Sequence, residues 1–237
     1  LVRIYREGKN GEALVLVCER ASAAQPDDTG LLRTLGEACL TAGKADEAVR
    51  VFQKLTELEP DAPENWCSFG EGWLAAGEPA QAETAYNRAA EIDRAAQTLF
   101  FSRLADGLLR AGYPERATAV WEKCVAARSD EPFSWMGLGD GLIRLGKPDA
   151  AAEAYSRAAD LRPLAAGGVW NRLGHCLAKG GLHAHAAAAF AKAIATEPEN
   201  HLYPLRLAES YAAQGRDDLA ADVLRRAAAL KPSPHGR

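Results

Sequence analysis

A ladder of glycines runs through the chain: Gly8, Gly43, Gly77, Gly112, Gly146, Gly181 and Gly215, at spacings that alternate between 35 and 34 residues. A fixed period of this length marks a repeat architecture, in which one small unit recurs and each copy buries its open face against the next. The length of 237 residues therefore counts repeats before it counts domains. The alternation allows a higher-order repeat of two units, and chance variation in the loops between units explains it equally well.

The stretch from Pro132 to Ala165 shows the content of one unit. Trp135, Leu138, Gly139 and Leu142 lie three and four apart, which places them on one face of a first helix. Gly146 follows that helix, where a glycine adopts the left-handed conformation at no steric cost, and Pro148 has the fixed φ suited to the next first turn. Ala151, Tyr155 and Ala158 form the matching stripe of a second helix, which Pro163 stops. Small residues beside large ones let the two helices approach closely while the aromatic rings fill the flanks. The unit is an antiparallel helix pair.

Counted from Pro132, these positions are offsets 4, 7, 8, 11, 15, 20, 24, 27 and 32, a pattern that closely resembles the tetratricopeptide repeat. The resemblance covers almost the whole chain. It implies an all-α fold, a right-handed α-α superhelix or solenoid of antiparallel helix pairs. Six units are expected at about 29–62, 63–97, 98–131, 132–166, 167–200 and 201–234, after a partial unit at 1–28 and before a tail at 235–237. In the partial unit Gly8, Ala13 and Val17 match offsets 15, 20 and 24, and the absence of an initial methionine fits a truncated or excised segment. Three local departures carry expectations of their own. Arg94 replaces proline at offset 32 of the second unit and weakens its exit turn. Ser129 does so in the third, which predicts a longer second helix there. Pro204 sits at offset 4 of the sixth, which predicts a shifted or shortened helix entry.

Composition narrows the function. The net charge of −4 without a long single-sign run argues against general affinity for nucleic acid or anionic membrane. No run approaches the roughly 20 apolar residues that span a bilayer. Cys18, Cys39, Cys67, Cys124 and Cys176 are an odd set without paired spacing; Cys39 and Cys124 fall at interior offsets and read as buried thiols. That favours a reducing compartment, the cytoplasm. His175, His183 and His185 share one unit but lack a fourth ligand at metal-binding spacing, and no phosphate loop follows a strand. Trp66, Trp73, Trp121, Trp135 and Trp170 all occupy packing offsets. We expect no cofactor, no metal and no catalysis.

The resemblance implies that first helices line a concave groove, with offsets 2, 5, 6, 9, 12 and 13 facing it. In that register offset 9 is acidic or polar throughout: Glu37, Glu71, Asp106, Asp140, His175 and Glu209. Arginines follow at other groove offsets, namely Arg33, Arg103, Arg110, Arg144, Arg172 and Arg206, with Lys179. Apolar groove positions are Leu99, Phe133, Met136, Leu202 and Leu205. Arginine forks, carboxylates and apolar groups together suit a peptide segment, in particular one with acidic residues. From this set Arg33, Arg103, Asp106, Arg110, Phe133, Met136, Asp140, Arg144, Arg172, His175, Arg206 and Glu209 are the candidate contacts. The plain reading is a solvated helix face: Asp106 with Arg110 and Asp140 with Arg144 are i,i+4 pairs, and Arg103 with Asp106 and Arg206 with Glu209 are i,i+3 pairs. The lysine and asparagine set with which some tetratricopeptide domains hold a C-terminal carboxylate is missing, as is the asparagine ladder at offset 6 found in arrays attached to glycosyltransferases.

A non-catalytic scaffold that holds a partner's peptide segment in its groove is thus the leading expectation. The alternatives are a recruiting arm of a larger enzyme and a scaffold that self-associates through uncapped ends. Pentatricopeptide-type RNA binding fits less well, because the acidic row would repel phosphates.

Overall fold

The computed structural model describes residues 11–230. Gly8, Pro232 and the tail lie outside them. Thirteen α-helices and one 3-10 turn are present among the described residues, with no strand. The all-α expectation holds. The chain divides into two compact units, one up to Val120 and one from Trp121.

The first unit contains α1 (Gly11–Ala24), α2 (Thr29–Thr41), α3 (Ala45–Leu58), α4 (Pro63–Ala75), α5 (Pro79–Ile92) and α6 (Gln97–Arg110). The boundary falls within α7 (Pro114–Ala127). The second unit continues with α8 (Pro132–Arg144), α9 (Pro148–Leu161), the 3-10 turn Pro163–Ala165, α10 (Ala166–Lys179), α11 (His183–Thr196), α12 (Leu202–Ala212) and α13 (Asp217–Leu230). Within the units α2 packs on α3, α4 on α5, α8 on α9, α10 on α11 and α12 on α13 as helix pairs, and α3 packs on α4, α5 on α6, α9 on α10 and α11 on α12.

The glycine ladder does what the sequence requires of it. Gly43, Gly77, Gly112, Gly146, Gly181 and Gly215 all have positive φ, between 68° and 86°. At Gly43 the turn closes with two backbone bonds, Gly43 N–H to Leu40 C=O at 3.1 Å and Lys44 N–H to Cys39 C=O at 2.8 Å. This pairing satisfies the last carbonyls of the first helix and recurs at all six turns. Asp28 caps α2, its carboxylate accepting from Leu31 N–H at 2.9 Å.

Close approach within a pair depends on the glycine at offset 8. An added Cβ on Gly139 would lie 2.4 Å from the Tyr155 ring, so the aromatic at offset 24 sits directly on the first helix's backbone. Phe52, Tyr86, Tyr155 and Phe190 are all at most 2% exposed. Burying one such ring is worth roughly 4 to 6 kcal/mol, at about 25 cal/mol per Å² over about 150 to 250 Å². Two indoles tie neighbouring pairs: Trp66 Nε1–H donates to Pro60 C=O at 2.8 Å and Trp135 Nε1–H to Ser129 C=O at 2.9 Å.

The local departures resolve individually. Where Arg94 replaces proline, Asp93 makes the exit turn instead, its carboxylate accepting from Ala95 and Ala96 N–H at 3.0 and 3.1 Å. The longer helix expected in the third unit is not there; α7 has 14 residues, as do α3, α5, α9 and α11. Ser129 and Asp130 lie in the loop after it, and helix resumes only at Pro132. The shortened entry at Pro204 is present: α12 has 11 residues and Pro204 lies in its first turn.

Candidate functional site

Within the first unit, Arg33 on α2 reaches across to α4, where its Nη2 donates to Asn65 Oδ1 at 2.8 Å. Asn65 is wholly buried and donates in turn to Glu59 at 3.0 Å, which holds the Glu59 carboxyl below its usual range. On the next pair Arg103 Nη2 donates to Glu71 Oε1 at 2.8 Å. These contacts join residues 32 apart, so they stitch one first helix to the next. Leu99 stands 60% exposed beside them, and Asp106 and Arg110 are exposed.

A cavity of about 610 Å³ opens beyond the Glu71–Arg103 pair. Leu40 and Leu74 give it an apolar wall, Glu71 and Arg110 a charged one, and Ala75, Gly107 and Ala111 keep it open by being small. A Cβ on Gly107 would meet Leu74 Cδ1 at 2.5 Å, so a larger residue there would push that leucine aside. Tyr113 closes one rim by donating to Gly77 C=O at 3.1 Å.

In the second unit Arg172 on α10 donates from Nη2 to Asp140 Oδ2 on α8 at 2.6 Å. Tyr155 rises from α9 between them, its hydroxyl donating to Asp140 Oδ1 and accepting from Arg172 Nε at 3.2 Å. Burial, and then the Asp140 charge, push the Tyr155 phenol well above its ordinary range. The same two causes push the Cys176 thiol to about 11. One pair further on, Arg206 Nη1 lies 3.4 Å from His175 Nδ1, a rung in which imidazole replaces carboxylate. Arg144 and Glu209 are exposed, as are Phe133, Leu202 and Leu205 at 58%, 49% and 44%.

Two readings of the sequence change here. Met136 is not a groove contact: it is 5% exposed and belongs to the core cluster with Ala166, Val169 and Trp170, where the small first turn of α10 leaves it room. Asp140 does not depend on the i,i+4 neighbour Arg144, because Arg172 and Tyr155 take up its oxygens. The spacing of 32 between an offset-9 acid and the next offset-6 arginine was readable from the register, but nothing in one helix points to it. The cavity-lining Leu40, Leu74 and Tyr113 escaped notice because each looks like core or turn when taken alone. No group of histidines, cysteines and carboxylates able to hold a metal occurs among the described residues.

Sequence profiles described as tetratricopeptide repeat match residues 102–166, 136–201 and 171–234, and a second such profile matches residues 5–66. The chain belongs to the tetratricopeptide repeat family. No curated protein matches it. Among solved structures it is similar to the C-terminal part of a TPR repeat-containing protein from Cytophaga hutchinsonii, with 15% identity over 99% of this chain and 95% of that one and a TM-score of 0.58. It is also similar to MamA protein, with 20% identity over 73% of this chain and 93% of that one and a TM-score of 0.50. The third is the APC/C hetero-tetramer Cut9–Hcn1, with 20% identity over 99% of this chain and 46% of that one and a TM-score of 0.50. At these identities the likeness is one of fold. No helix among the described residues is long and apolar enough to cross a membrane.

Proposed function

We propose that this tetratricopeptide repeat protein is a non-catalytic scaffold for protein–protein interaction, and that the first-helix face of the second unit holds an acidic, partly apolar segment of a partner. The observation that carries this reading is the composition of that face. Arg144, Arg172, Lys179 and Arg206 stand against only Asp140 and Glu209, in a protein whose overall charge is −4. Exposed Phe133, Leu202 and Leu205 lie at groove offsets of the same helices. A cationic face with apolar steps attracts a carboxylate-bearing chain at long range and gives it area to bury at contact. Assembly with other proteins is in keeping with the Cut9–Hcn1 likeness, since that structure is described as a hetero-tetramer.

Not every arginine serves equally well in a test. Reversing Arg103 or Arg172 would place a carboxylate against Glu71 or Asp140 and damage the stack itself. The better variant is Arg144→Glu with Arg206→Glu, compared with wild type by affinity capture and mass spectrometry. Partners carrying acidic segments should be captured by wild type and lost from the variant, with helicity unchanged in circular dichroism. Equal capture by both would move the binding surface elsewhere.

A further inference from the structure

The repeat register provides an internal control for every loop position. The residue after the helix-stopping position is Asp61, Ala95, Asp130, Leu164 and Glu199 in successive units. Four of these are acidic or small, as a solvated loop prefers; the fourth unit alone places a leucine there. Leu164 lies in the 3-10 turn Pro163–Ala165, and it is 100% exposed. Leu161, at the end of α9, is 41% exposed. Between the two, Arg162 lays its guanidinium 5.3 Å from the centroid of the Phe133 ring, which joins that exposed aromatic to the same surface.

Taking side chains of this kind at roughly 150 to 250 Å² each, the exposed fractions of Phe133, Leu161 and Leu164 sum to about 300 to 500 Å² of apolar surface, the size of the largest patch on a typical monomer, which is often functional. The size also limits the occupant. A stable dimer buries about 800 Å² on each partner, more than this patch offers, whereas a short chain segment covers an area of this order. The charge limits it further. Arg162 lies over the ring, and no ion pair among the described residues takes it up. A guanidinium so placed presents its fork to a carboxylate, while its stacked face and the flanking leucines accept apolar side chains.

We propose that Phe133, Leu161, Arg162 and Leu164 form a docking surface for a short segment of a partner protein in which an aspartate or glutamate is flanked by aliphatic or aromatic residues. Leu161, Arg162 and Leu164 belong to a second-helix end and a loop, so this surface shares Phe133 with the first-helix face but none of its arginines. It is tested with a phage-displayed library of short random peptides selected on the intact chain. Enriched peptides should combine a carboxylate with neighbouring apolar residues. Their affinity should fall at least about tenfold on Leu164→Asp and on Arg162→Ala, and should be unchanged on Arg144→Glu with Arg206→Glu. Leu164 touches nothing, so its variant keeps the fold, which circular dichroism checks. Selected peptides that bind Leu164→Asp as tightly as wild type, or a selection yielding none that depends on Leu164, would overturn the proposal. So would sedimentation showing a dimer that Leu164→Asp dissociates, because the occupant would then be a second copy.

Discussion

Each unit holds a carboxylate, a tyrosine and an arginine at matching places 69 residues apart: Glu71, Tyr86 and Arg103 in the first, Asp140, Tyr155 and Arg172 in the second. The arrangements differ by one methylene. Glu71 extends outward to Arg103, and both side chains are 39% exposed. Asp140 is shorter and stays close to its helix, 19% exposed, where it accepts from the Tyr155 hydroxyl as well as from Arg172. The first cluster is a half-solvated ion pair beside a buried ring, whereas the second is a connected network rooted in the core. A repeat that keeps its packing residues can thus change the depth of its polar contacts through the length of a single acid.

This contrast can be broken or sharpened by paired substitutions. The largest effects come from the rings, which are buried alike: Tyr86→Ala and Tyr155→Ala should each cost about 3 to 5 kcal/mol in urea denaturation, Tyr155→Ala the more by the hydrogen bonds of its hydroxyl. A larger loss at Tyr86 would mean that the rings, and not the acids, distinguish the clusters. Arg172→Met should cost about 1 to 2 kcal/mol, after discounting for the half-exposed arginine, because Asp140 keeps only one of its partners. Arg103→Met should cost no more than about 0.5 kcal/mol, since Glu71 turns to water. Tyr155→Phe should cost about 1 kcal/mol and Tyr86→Phe less than half of that, as only the former loses a hydrogen bond to its acid.

Alkaline titration gives the smallest and most direct comparison. Both phenols are shifted above the ordinary value of 10.0, by burial first and a neighbouring carboxylate second. The unfolded chain therefore releases these protons first, and the stability they contribute is present below pH 10 and falls as pH rises beyond it. In ultraviolet difference spectra, Tyr86 and Tyr155 should both stay protonated above pH 10 in the native protein and ionise only as alkali unfolds the chain. Ionisation of either phenol near pH 10 with the fold intact would refute its burial against a carboxylate.

Much of this was legible in the sequence, because helix faces and turns are local. Gly146 and Pro148 announce a turn without reference to any other unit, and Tyr155 over Gly139 follows from their spacing. What lies between units was harder to read. Met136 looks like a surface residue until the small residues of α10 are set beside it, and Asp140 has a plausible partner in Arg144 that the next repeat outcompetes. Arg162 and Leu164 fall outside the diagnostic offsets altogether, so the pattern that located every helix had no expectation for them.

The cross-repeat contacts have a consequence for how such a chain changes length. Because Glu71 and Asp140 each find an arginine 32 residues ahead, and Trp66 and Trp135 each find a carbonyl 6 residues behind, the connections are written in relative and not absolute positions. Excising the 69 residues from Gly72 to Asp140 would bring Arg172 to the place Arg103 now holds opposite Glu71. Deletion of a two-repeat block in this phase thus leaves an arginine facing the acid that remains.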